Sequence, residues 1–128
     1  MDEIRQLGDA ELEIMHIIWS NPGPMTSSEV LKRLKKRQWQ LSTLMTALQR
    51  LGDKGFLTCD RTMRENLYSA RISKNSYNES ESRAFLEKHY DSSLREFVTC
   101  LSGANAISKK ELAELRSYFD SFEPDEDN

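Results

Sequence analysis

A mainly α-helical protein with one small β-hairpin is the fold class that the sequence predicts, on three observations. Three segments with apolar residues at helical spacing occupy residues 10–54. Two short runs typical of β-strands follow within residues 56–70, separated by a polar tip. Two further amphipathic stripes lie in the second half of the chain. Because three helices followed by a hairpin is the order of a winged helix-turn-helix, we expect a winged helix over 1–75 and a helical domain over 76–128.

The first two helices form the scaffold of the predicted winged helix. One is expected over about 10–20, capped by Asp9 and ended by the Asn-Pro-Gly-Pro run. The second is expected over about 27–36 behind a Thr26 or Ser27 cap, and it ends in a basic run where the helix dipole favours cations. Their apolar stripes consist of Leu12, Ile14, Met15, Ile17, Ile18 and Trp19, and of Val30, Leu31 and Leu34.

The third helix, expected over 42–54 between a Ser42 cap and Gly55, has two contrasting faces. Its apolar face carries Leu41, Leu44, Leu48 and Leu51. Its opposite face carries Ser42, Thr46, Gln49 and Asp53, with Met45 and Arg50 at the edges. Short hydroxyl and amide groups suit close approach to base edges and phosphates, whereas a face built for solubility would carry Glu and Lys. The segment therefore predicts a DNA-recognition helix; an ordinary solvated helix face is the alternative.

The hairpin completes the predicted winged helix. Its strands are expected at Phe56–Cys59 and Asn66–Ala70, where β-formers are flanked by polar residues. The six residues between them suit a hairpin tip, and two of these residues, Arg61 and Arg64, are cations. In a winged helix the third helix enters the major groove of DNA and the wing contacts phosphates beside it. We therefore expect these arginines to contact the DNA backbone.

Charge is unevenly distributed along the chain. The whole sequence has a net charge of −3, and residues 76–128 carry six basic residues against twelve acidic ones. Residues 31–64 carry nine basic residues against two acidic ones. Within a Debye length of about 10 Å a polyanion senses the local charge, so double-stranded DNA is the expected partner of this segment. A winged helix that only binds proteins is the alternative. The nine cations are Lys32, Arg33, Lys35, Lys36, Arg37, Arg50, Lys54, Arg61 and Arg64.

The second half of the chain predicts a dimerisation region. One helix is expected over 82–101, before Ser102-Gly103, and another over 108–122 behind a Ser108 cap. Their apolar stripes need a partner, and helix-turn-helix proteins usually bind two-fold sites as dimers, so we expect a homodimer. Packing of both helices back onto the winged helix is the alternative. The stripes consist of Leu86, Tyr90, Leu94, Phe97 and Leu101, and of Leu112, Leu115, Phe119 and Phe122.

Several other classes of protein are disfavoured by the sequence. No apolar run has the length of a membrane span, and the acidic N-terminus lacks the character of a signal peptide, so a cytoplasmic protein without membrane contact is expected. Cys59 and Cys100 form no CxxC pair or Cys/His cluster, so we expect reduced thiols and no cofactor. His16 lies among apolar helix residues and is expected to be a core or boundary residue. The catalytic motifs GxSxG, HExxH and the P-loop are absent, which argues against an enzyme.

Five segments carry a resemblance to a known family. They are LGDAELEIMHIIW at 7–19, SEV at 28–30, the stretch 39–57, SLREFV at 93–98 and ISKKELAELRSYF at 107–119. The third is the most specific, because few unrelated proteins would share its spacing T..T.L.RL..KG. By these segments the chain resembles the penicillinase repressor (BlaI/MecI) family of bacterial transcription factors over nearly its full length.

The resemblance implies a function and a mode of regulation. It implies a homodimeric repressor on a palindromic operator ahead of β-lactamase-type genes; a repressor of the same family that controls unrelated genes is the alternative. It also implies induction through a β-lactam-triggered membrane sensor protease that leads to cleavage in the first dimerisation helix. An ungapped alignment through Phe85 and Tyr90 places the cut at Cys100–Leu101, where the family's Asn-Phe bond has lost its Asn.

The predicted DNA-binding residues come from both lines of reasoning. Contacts to base edges or nearby phosphates are expected from Ser42, Thr43, Met45, Thr46 and Gln49, with Thr43 and Thr46 implied by the resemblance. Phosphate contacts are expected from Arg50, Lys54, Arg61 and Arg64.

Two departures limit what the resemblance implies. Leu44 and Met45 on the predicted recognition face replace residue types common in well-known members, so operator preference does not carry over. The copper-responsive branch of the family has a C-terminal cysteine motif for metal. Here that region holds only Cys100, and no histidine lies beyond His89, so metal sensing is not expected.

Overall fold

The structure is a computed structural model that describes residues 4–34 and 39–122. The described residues form six α-helices and two β-strands: α1 Asp9–Ser20, α2 Ser27–Arg33, α3 Leu41–Asp53, β1 Leu57–Asp60, β2 Leu67–Ala70, α4 Lys74–Tyr90, α5 Leu94–Gly103 and α6 Lys109–Ser121. They divide into two compact units, one up to Ser82 and the other from Arg83. The predicted functional boundary after residue 75 stays a prediction. The predicted end of the second helix and the cations Lys35, Lys36 and Arg37 lie outside the described residues.

The core of the first unit is built from one face of each of its first three helices. The predicted stripes are confirmed at their centres by the buried residues Ile14, Met15, Ile18, Val30, Leu34, Leu44, Leu48 and Leu51. Burial of each such side chain contributes about 1.5–3 kcal/mol. Leu41 does not belong to this face as predicted, because its side chain is 47% exposed. Since a helical side chain leans over the turn that precedes it, the first residue of α3 has no turn of its own helix to cover.

Two helices begin earlier than the sequence predicts. The N-cap of α1 is Gly8 rather than Asp9, and the Gly8 N–H donates to the Glu11 carboxylate at 3.3 Å. The N-cap of α3 is Gln40, whose side chain makes no capping hydrogen bond. Ser42 is therefore already helical, and its carbonyl accepts a hydrogen bond from the Thr46 hydroxyl. The Thr26 cap of α2 is confirmed.

The hairpin pairs in antiparallel register from Leu57 with Ala70 to Asp60 with Leu67. Both strands are confirmed, each starting one residue later than predicted. Met25 adds a single bridge to the hairpin, since its backbone exchanges two hydrogen bonds with that of Tyr68. We call β1, β2 and the tip between them the wing.

A glycine turn joins α3 to the wing. Gly55 has φ of +85°, the left-handed conformation that favours glycine at a helix end. The Phe56 N–H then donates to the Leu51 carbonyl at 2.9 Å, which closes the last turn of α3. Phe56 is itself fully buried, so the chain enters the wing anchored in the core.

The first turns of α4 close the core of the first unit. Tyr77 is buried, and its hydroxyl accepts a hydrogen bond from the Leu7 N–H at 3.0 Å. The Trp19 indole N–H donates to the Ile72 carbonyl at 2.8 Å just before this helix. The Trp39 indole N–H is buried without an acceptor in the described residues, which leave out the four residues that precede it.

The predicted single helix over 82–101 is wrong, because the chain breaks at residues 91–93. Asp91 and Ser92 have φ of 47° and 66°, and the Ser92 N–H donates to the Leu86 carbonyl in a turn that ends α4. Ser93 then caps α5 by accepting the Glu96 N–H at 3.1 Å. Ser102-Gly103 does not end the helix before it as predicted, since both residues belong to α5.

The apolar side chains of the second unit are partly buried or exposed, and none of those described is fully buried. Phe85, Tyr90 and Phe97 form an aromatic cluster with ring centroids 5.4 to 5.9 Å apart. The predicted Ser108 cap of α6 is confirmed, with its hydroxyl accepting the Glu111 N–H at 3.1 Å. Within the described residues, neither α5 nor α6 has a buried side chain.

Candidate nucleic-acid interface

The outer face of α3 presents a continuous polar surface. We call it the recognition face; its side chains are all exposed and consist of Ser42, Thr43, Met45, Thr46, Gln49, Arg50 and Asp53. Leu44 does not lie on this face as predicted, because it is fully buried in the core. Its identity therefore bears on packing, whereas Met45 is the apolar residue available to a ligand.

A groove of about 550 Å³ separates the recognition face from the wing. From α3 it is lined by Met45, Thr46, Gln49 and Asp53, among others. From the wing it is lined by Cys59, Arg61, Asn66 and Tyr68. The fold thus brings Arg61 to the same concave surface as the helix residues, although they are separated along the chain. Arg64 does not line this groove.

The tip of the wing is held in shape by its own side chains. The Asp60 carboxylate accepts hydrogen bonds from the Thr62 N–H at 2.9 Å and from its hydroxyl at 2.6 Å. These bonds lower the pKa of Asp60 below 3.8. Arg61 and Arg64 are exposed on either side of Met63, whose side chain is 59% exposed. The tip therefore offers two cations and one apolar side chain to a ligand.

Lys54 differs from the other predicted phosphate contacts. Its ammonium lies 2.8 and 2.9 Å from the two carboxylate oxygens of Glu11, and both side chains are partly buried. Arg50, one turn earlier on α3, is exposed. On α2, Arg33 donates to the Asn21 side-chain oxygen at 3.2 Å.

The predicted dimerisation residues are distributed over three helices. Leu86 and Tyr90 lie on α4, Leu94, Phe97 and Leu101 on α5, and Leu112, Leu115 and Phe119 on α6. Leu94 and Phe119 are half exposed, at 51% and 50%, and the other six are partly buried. The Cys100–Leu101 bond lies in the last turns of α5, and the Cys100 thiol is free and exposed.

The described residues give no support for a metal site or a membrane-spanning helix. The described residues hold no group of three or more His, Cys, Asp or Glu side chains placed to bind a metal ion. His16 is an exposed boundary residue whose ring meets the edge of Trp19 at 5.7 Å. None of the described helices is both long and apolar enough to cross a membrane.

Sequence reasoning missed several residues in and beside this interface, and Met63, Asn66 and Glu11 illustrate why. Met63 could have been found, because an apolar residue between two arginines at a hairpin tip is unusual for a solvated turn. Asn66 was assigned to a strand, and its place in the groove depends on the pairing of the wing. No local sequence pattern indicates that Glu11 pairs with Lys54, since the two residues are 43 positions apart in the chain.

Known proteins resemble this chain in sequence and in fold. The sequence profile of the penicillinase repressor family matches residues 7–121. A penicillinase repressor of Bacillus licheniformis is 34% identical over 116 residues, which cover 90% of each chain. The methicillin resistance regulatory protein MecI of Mammaliicoccus sciuri is 24% identical, over 88% of this chain and 91% of its own.

Two solution structures match the first part of the chain. The DNA-binding domain of the repressor BlaI is 37% identical with a TM-score of 0.51, covering 60% of this chain and 94% of that domain. The monomeric form of Bacillus licheniformis BlaI in complex with the blaP half-operator is also 37% identical, with a TM-score of 0.50 and the same coverage. The first unit thus has the winged-helix fold of that domain. Since the family profile spans nearly the whole chain, this protein belongs to the penicillinase repressor family.

Proposed function

We propose that this protein is a homodimeric transcriptional repressor that binds a two-fold symmetric operator and has no catalytic activity. The observation that carries this proposal is the groove between the recognition face and the wing, where hydroxyl, amide and guanidinium groups share one exposed surface. The related BlaI was solved with a half-operator, which supports DNA as the ligand of the same fold. The names of the relatives favour genes of β-lactam resistance as targets.

In this proposal α3 enters the major groove, where some of its side chains contact base edges and others bind phosphates. The side chains that contact base edges or adjacent phosphates are Ser42, Thr43, Met45, Thr46 and Gln49. Arg50, Arg61 and Arg64 bind phosphates. Within the described residues the Gln40 side chain does not cap α3, and in this proposal the first N–H groups of the helix donate to a phosphate oxygen as well.

The wing contributes through its tip. With α3 in the major groove, the tip reaches the neighbouring backbone and the edge of the minor groove. There the two arginines meet phosphates, and Met63 contacts the apolar edges of the sugars. An apolar side chain of this kind is common among residues that contact the minor groove.

The second unit supplies the homodimer contact. Leu94 and Phe119 are about half exposed in the single chain, and so is Phe122 at the end of α6. Burying several such side chains against a second copy, at about 1.5–3 kcal/mol each, is enough to hold a dimer at micromolar concentration. Two copies then present two recognition faces to the two halves of the operator.

We further propose that repression ends by cleavage at Cys100–Leu101 by a sensor-linked protease. Because this bond is helical, the last turns of α5 must unwind before a protease can bind the chain as an extended segment. The cut removes Leu101 and the whole of α6 from the dimer contact. The subunits then separate and release the operator while α3 itself is unchanged.

A binding assay on the natural promoters tests the repressor proposal. Labelled fragments from the chain's own gene and its neighbours are titrated with the full chain, with a shuffled fragment as the control. We expect one promoter to bind at least about 10³-fold more tightly than the shuffled fragment. Equal and weak binding to all fragments contradicts the proposal and favours the protein-interaction module. The genes beside a bound promoter decide whether β-lactam resistance is the regulated function.

A further inference from the structure

One ion pair joins the first turn of α1 to the end of α3. The Lys54 ammonium lies 2.9 Å from Oε1 and 2.8 Å from Oε2 of Glu11. The two side chains are only 27% and 18% exposed, so water screens the pair less than it screens a surface ion pair. The contact spans 43 residues of sequence and is therefore a tertiary constraint on α3.

Lys54 lies at the junction between α3 and the wing, so the ion pair constrains that junction. Lys54 is the C-cap of α3, and its N–H donates to the Arg50 carbonyl at 2.9 Å. The left-handed Gly55 and the buried Phe56 follow at once and lead into the wing. A side chain anchored at Lys54 therefore fixes the point at which the recognition helix ends and the wing begins.

Glu11 is held equally firmly from its own side. One of its carboxylate oxygens accepts the Gly8 N–H as well as the Lys54 ammonium. Burial raises the pKa of Glu11, but the hydrogen bonds from Lys54 and Gly8 outweigh it and lower the pKa below 4.5. The carboxylate is therefore ionised at neutral pH, and the lysine has a full counter-charge within the protein. Two of the three ammonium N–H groups of Lys54 are directed to Glu11, so a phosphate would have to compete with this carboxylate for the charge of Lys54.

We propose that Glu11 and Lys54 form a positioning pair that sets the end of α3 against the base of the wing, and that Lys54 makes no phosphate contact. The proposal rests on the proposed DNA-binding function. It revises the role that the sequence predicts for Lys54, since a cation committed to a carboxylate contributes nothing to the release of counterions from DNA. Arg50 and the two wing arginines keep that role.

Operator affinity over a range of salt concentrations tests the proposal in the full chain. The variants are Lys54→Met, Glu11→Gln and the charge swap Glu11→Lys with Lys54→Glu, and Arg64→Ala is the control for loss of a phosphate contact. We expect each single variant to lose about fivefold in operator affinity, the order that a partly exposed ion pair contributes, with an unchanged salt slope. We expect the swap to recover part of this loss, because it restores the pair in reverse but removes the Glu11 carboxylate that accepts the Gly8 N–H at the start of α1. Arg64→Ala should instead flatten the slope.

The opposite pattern overturns the proposal. If Lys54 contacts phosphate, Lys54→Met flattens the salt slope by about 0.9 per subunit. The swap then binds worse than either single variant, because it places a carboxylate beside the DNA. Glu11→Gln would in that case leave the affinity unchanged or raise it.

A DNA-free measurement separates this proposal from the proposed function. Amide hydrogen exchange in the full chain reports how firmly residues 50–57 are held. We expect faster exchange there in Lys54→Met and a return toward the wild-type rate in the charge swap. Unchanged exchange in Lys54→Met contradicts the positioning role even if the chain binds an operator. If exchange is faster in Lys54→Met but the wild-type chain binds no operator, the positioning role of the pair is supported and only the repressor function is refuted.

Discussion

At the scale of single residues, exposure and hydrogen-bond partners separate side chains of similar chemistry. Arg61 and Arg64 are exposed on the wing, whereas Lys54 is held by a carboxylate. Met45 faces the groove, whereas Leu44 beside it is fully buried. The side chain at position 44 is therefore constrained by packing in the core, whereas the one at position 45 is free to contact a ligand in the groove.

Substitutions on α3 and the wing should differ in how they affect specificity. Thr46→Ala removes a hydroxyl from the recognition face and should cost about 0.5–1.5 kcal/mol in operator binding, the contribution of one neutral hydrogen bond, with little effect on non-specific DNA. Arg64→Ala should weaken both kinds of binding about equally and reduce the salt slope by about 1 per subunit. Fluorescence anisotropy with operator and shuffled DNA measures both effects.

Thr99→Ala is a matched control for the helix itself. The Thr99 hydroxyl donates to the Arg95 carbonyl in the same way that the Thr46 hydroxyl donates to the Ser42 carbonyl. If Thr46→Ala lowers the Tm as much as Thr99→Ala does and weakens operator and shuffled DNA equally, the effect comes from the lost helix hydrogen bond and the assignment of Thr46 to the operator is wrong.

At the scale of elements, helix ends decide where the chain changes direction. Three helices place a glutamate at the third helical position, where it bonds back to the backbone N–H of the cap: Glu11, Glu29 and Glu111. The pKa values of Glu29 and Glu111 are lowered below 4.5, chiefly by these backbone hydrogen bonds. The helix starts are therefore linked to the ionisation of these carboxylates.

Acid should destabilise the protein through these caps. Because the folded-state pKa values lie below 4.5, the stabilisation is fully present above that pH and is lost as the pH falls through the folded values. Thermal unfolding from pH 7 to pH 3 should show a smaller loss of Tm for Glu29→Gln than for the wild type. Glu65→Gln, on the wing and outside any cap, is the control. The same acid dependence in Glu29→Gln and the wild type would contradict the cap's contribution.

The turn between α4 and α5 is a second element with a testable sequence requirement. Ser92 has φ of 66°, where a β-branched side chain is strained. Ser92→Val should therefore lower the free energy of unfolding by about 1–2 kcal/mol. Ser82→Val, at an exposed position within α4, should cost much less. Equal losses in the two variants, measured by urea unfolding, would show that the turn carries no such strain.

The sequence predicts elements best where a local pattern encodes them. The centres of α1 to α3 and the two strands follow from apolar spacing, because each pattern repeats within one element. The break at residues 91–93 was missed because Tyr90 and Leu94 stay four residues apart across it, as they would in one helix. The Asp-Ser-Ser run was the available signal, since such residues favour turns and caps.

Only those parts of the candidate site that a local sequence pattern encodes could be predicted. The exposed face of α3 and the arginines of the wing follow from helical and hairpin geometry. The groove that joins them depends on how the wing folds back beside α3, and the Glu11–Lys54 pair depends on tertiary packing. Neither arrangement leaves a local trace in the sequence.

At the scale of the whole molecule, the two units present surfaces of opposite character. The first unit buries most of its large apolar side chains in one core and exposes a mainly polar face with cations. The second unit exposes large apolar side chains, among them Leu94, Tyr118 and Phe119, each about half exposed or more. A protein that pairs through one unit and binds DNA through the other accounts for both surfaces.

Charged substitutions in the second unit should disrupt the proposed dimer. Leu94→Asp or Phe119→Asp places an unpaired carboxylate in an apolar contact and should give monomers at tens of micromolar in analytical ultracentrifugation. Met63→Asp, an equally exposed apolar position in the first unit, should leave the dimer intact. A monomeric wild-type chain at these concentrations contradicts the dimer.

Proteolytic release predicts a specific fate for the chain in its source cells. After exposure to a β-lactam, mass spectrometry should find the 14.9 kDa chain replaced by a fragment ending at Cys100 while the target gene is induced. Persistence of the intact chain during induction contradicts cleavage as the switch. Induction would then require a ligand or partner protein that weakens the dimer without cleaving the chain.

The salt dependence of operator binding by the full-length dimer tests the central claim most directly. Arg50, Arg61 and Arg64 supply six phosphate contacts per dimer, so log K should fall with log salt concentration at a slope of about −5. Affinity for the operator should fall by about 10³-fold between 50 and 200 mM salt. A slope near zero, at any affinity, would mean that these cations do not meet a polyanion and would contradict DNA binding by this surface.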